Sequence, residues 1–378
     1  MKTIKTAFAL LLLLLNVAGM HGKTVQIRVT NPISLNRRDV VEIPLKDILQ
    51  KLDVVGKTAL IVRNADGDEV PSQQTTDGLL LIQTFIHPNS SETYTIEPGT
   101  PQPYRNDVCG RFYPQRADDL AWENDRNAWR VYGPALRKDN PHGIDCFTKN
   151  QPAPSLDSLY QDALLRGITY HENHGLGMDA YSVGPTLGCG APALMQGDTL
   201  NYAVVYDKAE IQENGPLRFQ ALLTYYHEGG ITETRQLRQD RGSHFVRCTV
   251  SYQGVKGKAS VLSGLVVHKD NPDAYVISKR GRYVAYADPI NSPKTCNGQL
   301  FVACLYPQKV DKMEYLPLMQ ETAGAVGHVV GRKAYQEGQE FAYWFGSGWS
   351  QYDVPSLTVW KSLMEDFQQM LRHPLVVE

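Results

Sequence analysis

The sequence has no long run of one charge and almost no imbalance between the two signs. It contains 38 Lys and Arg residues against 40 Asp and Glu residues, so nothing in it indicates the strongly basic surface typical of proteins that bind nucleic acid or anionic membranes. After residue 22, no segment approaches the roughly 20 apolar residues that a membrane helix needs. We therefore expect a soluble mature chain with no membrane span, no nucleic-acid partner, and small molecules as ligands.

Cysteine is also scarce. The six cysteines stand at wide and irregular spacing in a chain of 378 residues, which fits neither a zinc ribbon nor the disulfide framework of a small secreted domain. We expect one or two disulfide bridges at most. The pair most easily closed is Cys296 with Cys304, because the turn signal Asn297-Gly298 lies between them.

Two common catalytic motifs are missing. In a metalloprotease helix, two residues separate the glutamate from the second histidine. Here Glu172 directly follows His171, but only one residue separates Glu172 from the second histidine, His174. No phosphate-binding loop is present either. A divalent metal held by His171 and His174, together with Asp179 or His227, stays an open alternative, and no other cofactor is indicated.

The first 22 residues have the pattern of an export signal. Lys2 and Lys5 precede an apolar run over residues 7–17, and the small residues Ala18 and Gly19 follow it. No cysteine follows the run, so a bacterial lipid anchor is not indicated. The sequence predicts a cleaved signal peptide and a periplasmic or secreted protein.

The remaining chain is predicted to be mainly β. Residues 23–103 indicate a small N-terminal β-sandwich module, because Val25, Ile27 and Val29 alternate with polar residues and a proline-rich segment ends the region. Residues 104–378 contain further segments with strand patterns, which predict a meander of long antiparallel strands. Those segments are residues 200–206, 217–226, 232–238, 243–252 and 260–268.

Two helices are expected among these strands. Ser155 is placed to cap a helix with apolar residues at helical spacing, and Gly167 is placed to end it. A second helix with one apolar stripe is predicted to begin at residues 353–355 and to stop at Pro374.

Residues 170–190 are the first candidate site. The segment is rich in glycine, has no helical or strand period, and contains His171 and His174. Because glycine costs backbone entropy, such a segment is typical either of a functional loop or of an ordered structural loop with tight turns. We interpret it as one wall of a cleft, with His171 as a candidate catalytic residue and His174 as a candidate binding residue.

A second candidate site follows at residues 225–235. His227 stands beside Tyr226, and Glu233 and Arg235 share one face of a strand. The acid and the guanidinium either form an ion pair or hold a substrate between them. We predict catalytic roles for His227, Glu233 and Arg235, and a binding role for Tyr226.

Aromatic residues supply further candidate binding groups. Arg130 and Tyr132 lie in a block of mixed charges and indoles, which suits either a polar cleft wall or a solvated strand edge. Trp349 follows small residues, and an exposed indole there would stack on a sugar ring. We expect Trp344 to be a core residue and Trp349 to be the better exposed platform, although a packing role for Trp349 stays open.

Three of these segments together resemble one known family. ADDLAWENDRNAWRVYGPAL, HENHGLGMDAYSVGPTLGCGAPAL and FGSGWS resemble the exported family catalogued as domain of unknown function 4861. The resemblance covers nearly the whole mature chain and implies an exported protein of polysaccharide-degrading bacteria. The GPLR, TETRQLR and GSHF strands also resemble the large antiparallel supersandwich of galactose mutarotases and several polysaccharide lyases. No catalytic residue is transferred by this resemblance.

These observations predict an exported carbohydrate-active enzyme of polysaccharide degradation. The favoured hypothesis is a lyase that acts by β-elimination on a uronic-acid-containing glycan, with His171 or His227 as base, Arg235 neutralising the sugar carboxylate, and a tyrosine as acid. A sugar mutarotase or epimerase, with His171 as acid and Glu233 as base, is an alternative. A glycoside hydrolase and a noncatalytic glycan-binding protein are the others.

Overall fold

The computed structural model describes residues 23–290 and 296–378. The predicted export signal lies outside the described residues. Within them, no helix is both long enough and apolar enough to cross a membrane.

The N-terminal region forms two small sheets around a core of its own. Its sheets have the strand orders β24-β1-β6-β3 and β2-β5-β4, so the last strand of the chain pairs with the first. Its elements are β1 (Val25–Thr30), β2 (Val40–Pro44), α1 (Leu45–Leu52), β3 (Leu60–Arg63), β4 (Ser72–Gln74), β5 (Leu79–Gln83), β6 (Ser91–Pro98) and, from the end of the chain, β24 (Val376–Val377). The predicted alternation is present in β1, where Val25, Ile27 and Val29 are buried. The domain boundary at residue 103 stays a prediction.

A four-stranded sheet, ordered β10-β9-β8-β7, follows the linker. One of its faces packs on the large sandwich and the other lies under a short helix. Its elements and that helix are β7 (Cys109–Tyr113), β8 (Asp119–Glu123), β9 (Ala128–Val131), β10 (Asp145–Phe147) and α2 (Leu156–Gln161).

The rest of the chain builds two large antiparallel sheets that share one hydrophobic core. The eight-stranded sheet has the order β13-β14-β15-β16-β23-β20-β19-β18, and the five-stranded sheet has the order β12-β11-β17-β22-β21. The elements are β11 (Cys189–Gln196), β12 (Thr199–Tyr202), β13 (Lys208–Asn214), β14 (Arg218–Tyr226), β15 (Thr232–Asp240), β16 (Phe245–Gln253), β17 (Ala259–His268), β18 (Tyr275–Ile277), β19 (Tyr283–Asp288), β20 (Leu300–Leu305), β21 (Lys312–Thr322), β22 (Ala325–Tyr335), β23 (Phe341–Trp349) and α3 (Leu357–Arg372).

This architecture confirms the predicted mainly β class and its large antiparallel sandwich. Strands β14 to β16 form the expected meander, and β13, which was not predicted, precedes them in the same sheet. Alternate residues of β15 and β16 are buried because successive side chains of a strand point to opposite faces. The meander ends at β16, since β17 crosses to the other sheet. Predicted segment 200–206 is a strand only over Thr199–Tyr202.

Three local predictions are wrong. The Ser155 hydroxyl does not cap α2; instead, the backbone N–H groups of Ser155 and Leu156 each donate to the Glu123 carboxylate at 2.9 Å. Helix α3 begins at Leu357 rather than at residues 353–355, because the Ser356 hydroxyl accepts from the Val359 N–H at 3.3 Å.

The third wrong prediction is the Cys296–Cys304 bridge, since all six cysteines are free thiols. Cys304 points into the core from the far half of β20. Cys296 is exposed beside Gln351, close to the start of that strand. Cys296 therefore lies near the Leu300 end of β20, whereas Cys304 lies four residues along the extended strand from Leu300. Four residues of extended chain span about 13 Å, which is too far for a disulfide between the two cysteines.

Candidate functional site

Four charged residues converge on the face of the four-stranded sheet that α2 covers. Leu120 and Trp122 of β8 point into the large core, so Asp119 points to the opposite face. On that face, Arg130 of β9 lies directly opposite Asp145 of β10. The loop after α2 adds Asp179. We call Asp119, Arg130, Asp145 and Asp179 the carboxylate cluster.

Arg130 is the centre of this cluster. Its Nη2 donates to Asp145 Oδ2 and, at 2.9 Å, to Asp179 Oδ2. Its Nη1 lies 3.9 Å from Asp119 Oδ2, an ion-pair distance that is too long for a hydrogen bond. All four side chains are buried, so three carboxyl groups surround one cation in a low-dielectric environment.

Several polar atoms of the cluster have no hydrogen-bond partner within the part of the chain that the structure describes. They are Asp119 Oδ2, Asp145 Oδ1, and Nε and Nη1 of Arg130. A buried polar atom without a partner costs about 1–3 kcal/mol. Four such atoms in one cluster are typical of a site that binds a polar ligand or transfers a proton, rather than of a finished structural ion pair.

The environment also changes the acidity of two of these carboxyl groups. Burial raises the pKa of Asp179 to about 8, and the neighbouring Asp145 charge raises it further than the Arg130 charge lowers it. Burial raises the pKa of Asp119 to about 6 against the lowering effect of Arg130. At neutral pH, Asp179 is therefore a protonated acid beside other carboxyl groups, which is the pattern of a general acid.

Solvent reaches the cluster from the side of His171. The Asp179 side chain is 3% exposed, whereas that of His171 is 60% exposed and its Nδ1 lies 3.6 Å from Asp179 Oδ2. Two aromatic rings line the same place: the Arg130 guanidinium carbon lies 5.0 Å from the Tyr132 ring centroid and 5.9 Å from that of Tyr170. The predicted site residues Arg130, Tyr132 and His171 thus lie together.

The glycines of the 170–190 segment have a structural cause. Gly177 has a φ of +98°, and a Cβ there would lie 2.0 Å from the Thr148 carbonyl oxygen. The loop is held to the end of β10 because Thr148 N–H donates to the Met178 carbonyl at 2.8 Å. Close backbone packing, rather than ligand approach, requires glycine at this position, and it places Asp179 on Arg130.

We expect Gly177→Ala to destabilise the protein by about 2–3 kcal/mol, because the residue would adopt a strained φ and also displace the Thr148 carbonyl. Gly175→Ala is the matched control: its φ is +102°, but no atom lies within 4 Å of the added carbon. Urea denaturation measures both free energies of unfolding. Equal losses for the two variants would contradict the packing explanation.

The metal hypothesis gains no geometric support. Within residues 23–290 and 296–378, no three His, Cys, Asp or Glu side chains converge as a metal site. His171 lies beside Asp179, but His174 Nε2 has the exposed Glu172 carboxylate as its neighbour at 3.9 Å, and His227 pairs with Glu233 instead. The binding role of His174 stays a prediction.

The second predicted cluster is present as a separate buried network of His227, Glu233 and Arg235. Nε and Nη2 of Arg235 donate to Glu233 Oε1 at 2.9 and 2.5 Å, and His227 Nε2 lies 3.0 Å from Glu233 Oε2. The Arg235 guanidinium also lies 4.3 Å from the Tyr225 ring centroid. Burial alone would raise the pKa of Glu233, but the charge of Arg235 and the hydrogen bond from His227 outweigh it and hold the pKa below its ordinary value.

This arrangement matches the ion pair that the sequence allowed as an alternative. The fork of Arg235 is occupied by Glu233, so it is not directed at a substrate carboxylate. His171 and Glu233, the acid and base of the mutarotase hypothesis, have separate neighbours, Asp179 and His227. We interpret the Glu233 network as a stabilising element of the sandwich.

We therefore expect His227→Ala to lower the free energy of unfolding by about 1–3 kcal/mol, because the buried Glu233 carboxylate loses one partner. Activity on any substrate should change less than about twofold, in contrast to the loss of a catalytic base, which typically costs 10²-fold or more. His87→Ala, at an exposed position, is the control. A large loss of kcat with unchanged stability would instead support the predicted catalytic role.

Two predicted aromatic binding residues differ in exposure. Trp349 is 3% exposed, belongs to the large core, and donates from Nε1 to the Asn297 carbonyl at 2.7 Å, so the expected exposed platform at this position is wrong. Trp344 is the half-buried indole of the pair. The cause is strand alternation together with the register of β23, which points Trp349 inward. Tyr226 is 51% exposed, and its binding role stays a prediction.

Asp145 was not among the residues predicted from the sequence. It is the first residue of β10, a short strand in which every residue is buried, and its chain neighbours are Ile144 and Cys146. A single acid inside an apolar strand is a signal that points to a site, because buried carboxylates require partners. Asp119 was recognised only as one of several charges in its block, and Asp179 only as a candidate metal ligand.

Known proteins similar to this chain include one curated sequence and several solved structures. Uncharacterized protein P7 of Formosa agariphila is 25% identical over 344 residues, which cover 86% of this chain and 83% of that protein. An α-mannosidase from Enterococcus faecalis V583 aligns at a TM-score of 0.49 and 9% identity, over 94% of this chain and 46% of the mannosidase.

A heparan sulfate lyase from Pedobacter heparinus aligns at a TM-score of 0.37 and 10% identity, over 68% of this chain and 38% of the lyase. The chain thus spans less than half of the length of either enzyme. At the level of families, the model of the Domain of unknown function (DUF4861) matches residues 29–377. This match covers nearly the whole described chain, and it shows that the protein belongs to the DUF4861 family.

Proposed function

We propose that this protein is a carbohydrate-active enzyme that hydrolyses glycosidic bonds through the carboxylate cluster. The observation that carries the proposal is the sharing of one donor, Arg130 Nη2, by the buried carboxyl groups of Asp145 and Asp179, together with the burial that raises the pKa of Asp179 to about 8. Glycoside hydrolysis requires this combination of one protonated and one ionised carboxyl group.

In this mechanism, Asp179 gives its proton to the leaving glycosidic oxygen. Asp145 or Asp119, as a carboxylate, either takes a proton from the water that attacks the anomeric carbon, or attacks that carbon itself. In the second case the glycosyl ester is then cleaved by water that gives a proton to the Asp179 carboxylate. Arg130 keeps the ionised carboxylate charged and fixes the orientation of both acids, since a guanidinium offers its donors in a rigid fork. Sugar would approach from the His171 side, with the half-buried ring of Tyr132 as the stacking surface.

The β-elimination hypothesis loses its main support under this proposal. It needs a free cation for the uronate carboxylate, but Arg235 is bound by Glu233, and Arg130 is bound by Asp145 and Asp179. Three carboxyl groups around the reacting sugar would also repel a uronate placed there. Lyase activity is therefore the alternative outcome of the same experiment.

The test is incubation of the protein with a panel of neutral, sulfated and uronate oligosaccharides. New reducing ends without ultraviolet absorbance of an unsaturated sugar support hydrolysis. Reducing ends accompanied by that absorbance favour the lyase, and anomeric exchange by proton NMR without cleavage favours the mutarotase. Glycan binding without any of these reactions would leave a noncatalytic role and overturn the proposal.

A further inference from the structure

A second polar cleft lies where the N-terminal sheets meet the rest of the molecule. Its volume is about 300 Å³, and four arginines line it: Arg38, Arg105, Arg126 and Arg241. They come from four separate segments, namely the region before β2, the linker before β7, the β8–β9 turn and the β15–β16 turn. The convergence of four guanidinium groups is a property of the fold that no single sequence motif encodes.

The acids at this place neutralise the arginines only in part. Asp107 and Asp125 line the cleft as well. Asp107 is shared, since Arg105 Nη2 donates to its Oδ2 at 3.2 Å and Arg241 Nη2 to the same atom at 2.8 Å. Four cations thus face two lining carboxylates and the Asp353 carboxylate that pairs with Arg126, which leaves a net positive charge at the cleft.

Two of the arginines have unused hydrogen-bonding capacity. Arg38 is exposed and has no acidic side chain within 4 Å among the residues that the structure describes. Arg126 donates from Nη1 to Asp353 Oδ2 at 2.9 Å, and its buried Nε lies 3.4 Å from Asp125 Oδ2 without a hydrogen bond in the described part of the chain. Guanidinium donors placed in this way suit oxyanions, because the fork matches two oxygens of a sulfate or a carboxylate.

We propose that this cleft binds an anionic substituent of an oligosaccharide, either a sulfate ester or a uronate carboxylate. That the ligand is a glycan rests on the proposed function; that it is an anion rests on the arginines. The β8–β9 hairpin connects the two sites, with Arg126 at its turn and Arg130 four residues further along β9. Four residues of extended chain span about 13 Å, which is the distance that an oligosaccharide bound at one site would have to bridge to reach the other.

The experiment is isothermal titration calorimetry of the full chain with four probes. Three are oligosaccharides of similar length, namely a sulfated galactan oligosaccharide, an oligogalacturonate and a neutral xylo-oligosaccharide. The fourth is inorganic sulfate, which supplies the charge without the sugar. At least one anionic oligosaccharide should bind more tightly than the neutral one, and its affinity should fall as salt is added. Arg38→Gln should weaken that binding about tenfold, as expected for one charge-assisted hydrogen bond.

Arg38 is the chosen position because it is exposed and has no acidic partner, so its replacement leaves no buried charge alone. Arg28→Gln, at an exposed position of β1 outside the cleft, is the matched control and should bind as the wild type does. The oligosaccharide that binds identifies the anion as sulfate or carboxylate. Equal affinity for neutral and anionic probes, an unaffected Arg38→Gln, or binding of inorganic sulfate only would overturn the proposal.

The outcome is separable from that of the hydrolase proposal. If no probe is cleaved but an anionic oligosaccharide binds in an Arg38-dependent way, the cleft proposal stands and hydrolysis fails. If a neutral oligosaccharide is cleaved and no anionic one binds, hydrolysis stands and the cleft proposal fails.

Discussion

Asp179→Asn is expected to lower kcat by about 10²–10⁴-fold, because an amide of the same shape has no proton to give to the leaving oxygen. KM should change far less, since the amide retains the volume of the side chain. Initial rates of reducing-end release on the oligosaccharide that the protein cleaves measure the effect. In the wild type, kcat/KM should decline as pH rises through about 8, where Asp179 loses its proton.

The same variant has a stability signature that does not depend on a known substrate. An unfolded aspartate releases its proton near pH 3.9, whereas folded Asp179 holds its proton up to about pH 8. The folded state therefore binds more protons between these values, and the wild type loses stability relative to Asp179→Asn as pH rises from about 4 to 8. Urea denaturation of both proteins across this range gives the difference curve.

Asp273→Asn, at an exposed position, is the matched control and should change neither kcat nor the pH dependence of unfolding. A flat difference curve between Asp179→Asn and the wild type would mean that Asp179 is ionised in the folded protein. Full activity of Asp179→Asn on a cleaved glycan would remove Asp179 as the general acid.

The second large effect is expected for Arg130→Met, which should reduce the free energy of unfolding by about 3–5 kcal/mol at neutral pH. Methionine retains much of the side-chain volume, but Asp119, Asp145 and Asp179 lose the cation that lies among them. The loss should shrink near pH 5, because Asp119, whose pKa burial raises to about 6, is then protonated and no longer needs a cation beside it. Urea denaturation at pH 5 and pH 7 measures both values.

Arg137→Met is the control for removing an arginine from an ion pair. Arg137 Nη2 lies 2.7 Å from Asp207 Oδ1, but its side chain is 48% exposed, and an ion pair in solvent contributes about 1 kcal/mol or less. If Arg130→Met costs no more than Arg137→Met, or if its cost is the same at both pH values, the carboxyl groups of the cluster do not depend on Arg130 for their stability.

Much of the fold could be predicted from local pattern. The alternation in β1, β15 and β16 places buried residues at every second position, and this period depends only on strand geometry. Family membership was likewise predicted from three segments and is confirmed over residues 29–377. Caps and cross-links were less predictable: Glu123, 32 residues before Ser155 in the chain, holds the start of α2.

The candidate site was predictable only in part. Arg130, Tyr132 and His171 were singled out by residue type and do lie together. Their acidic partners were not recognised, because Asp119, Asp145 and Asp179 belong to two strands and a loop that are separated by up to 60 residues. The ion pair of Glu233 with Arg235 and a packing role for Trp349 were alternatives that the sequence left open, and the strand register decided between them and the binding roles.

The sequence by itself determined the strand periods, the presence of α2 and α3, and the family, because these depend on neighbouring residues and on recognisable segments. Only the tertiary structure decided which charges meet. A carboxyl group becomes an acid at neutral pH through burial and through neighbours from distant segments, as Asp179 does beside Asp145 and Arg130. The same reason applies to the arginine cleft, where four segments bring together cations that the near-neutral composition does not reveal.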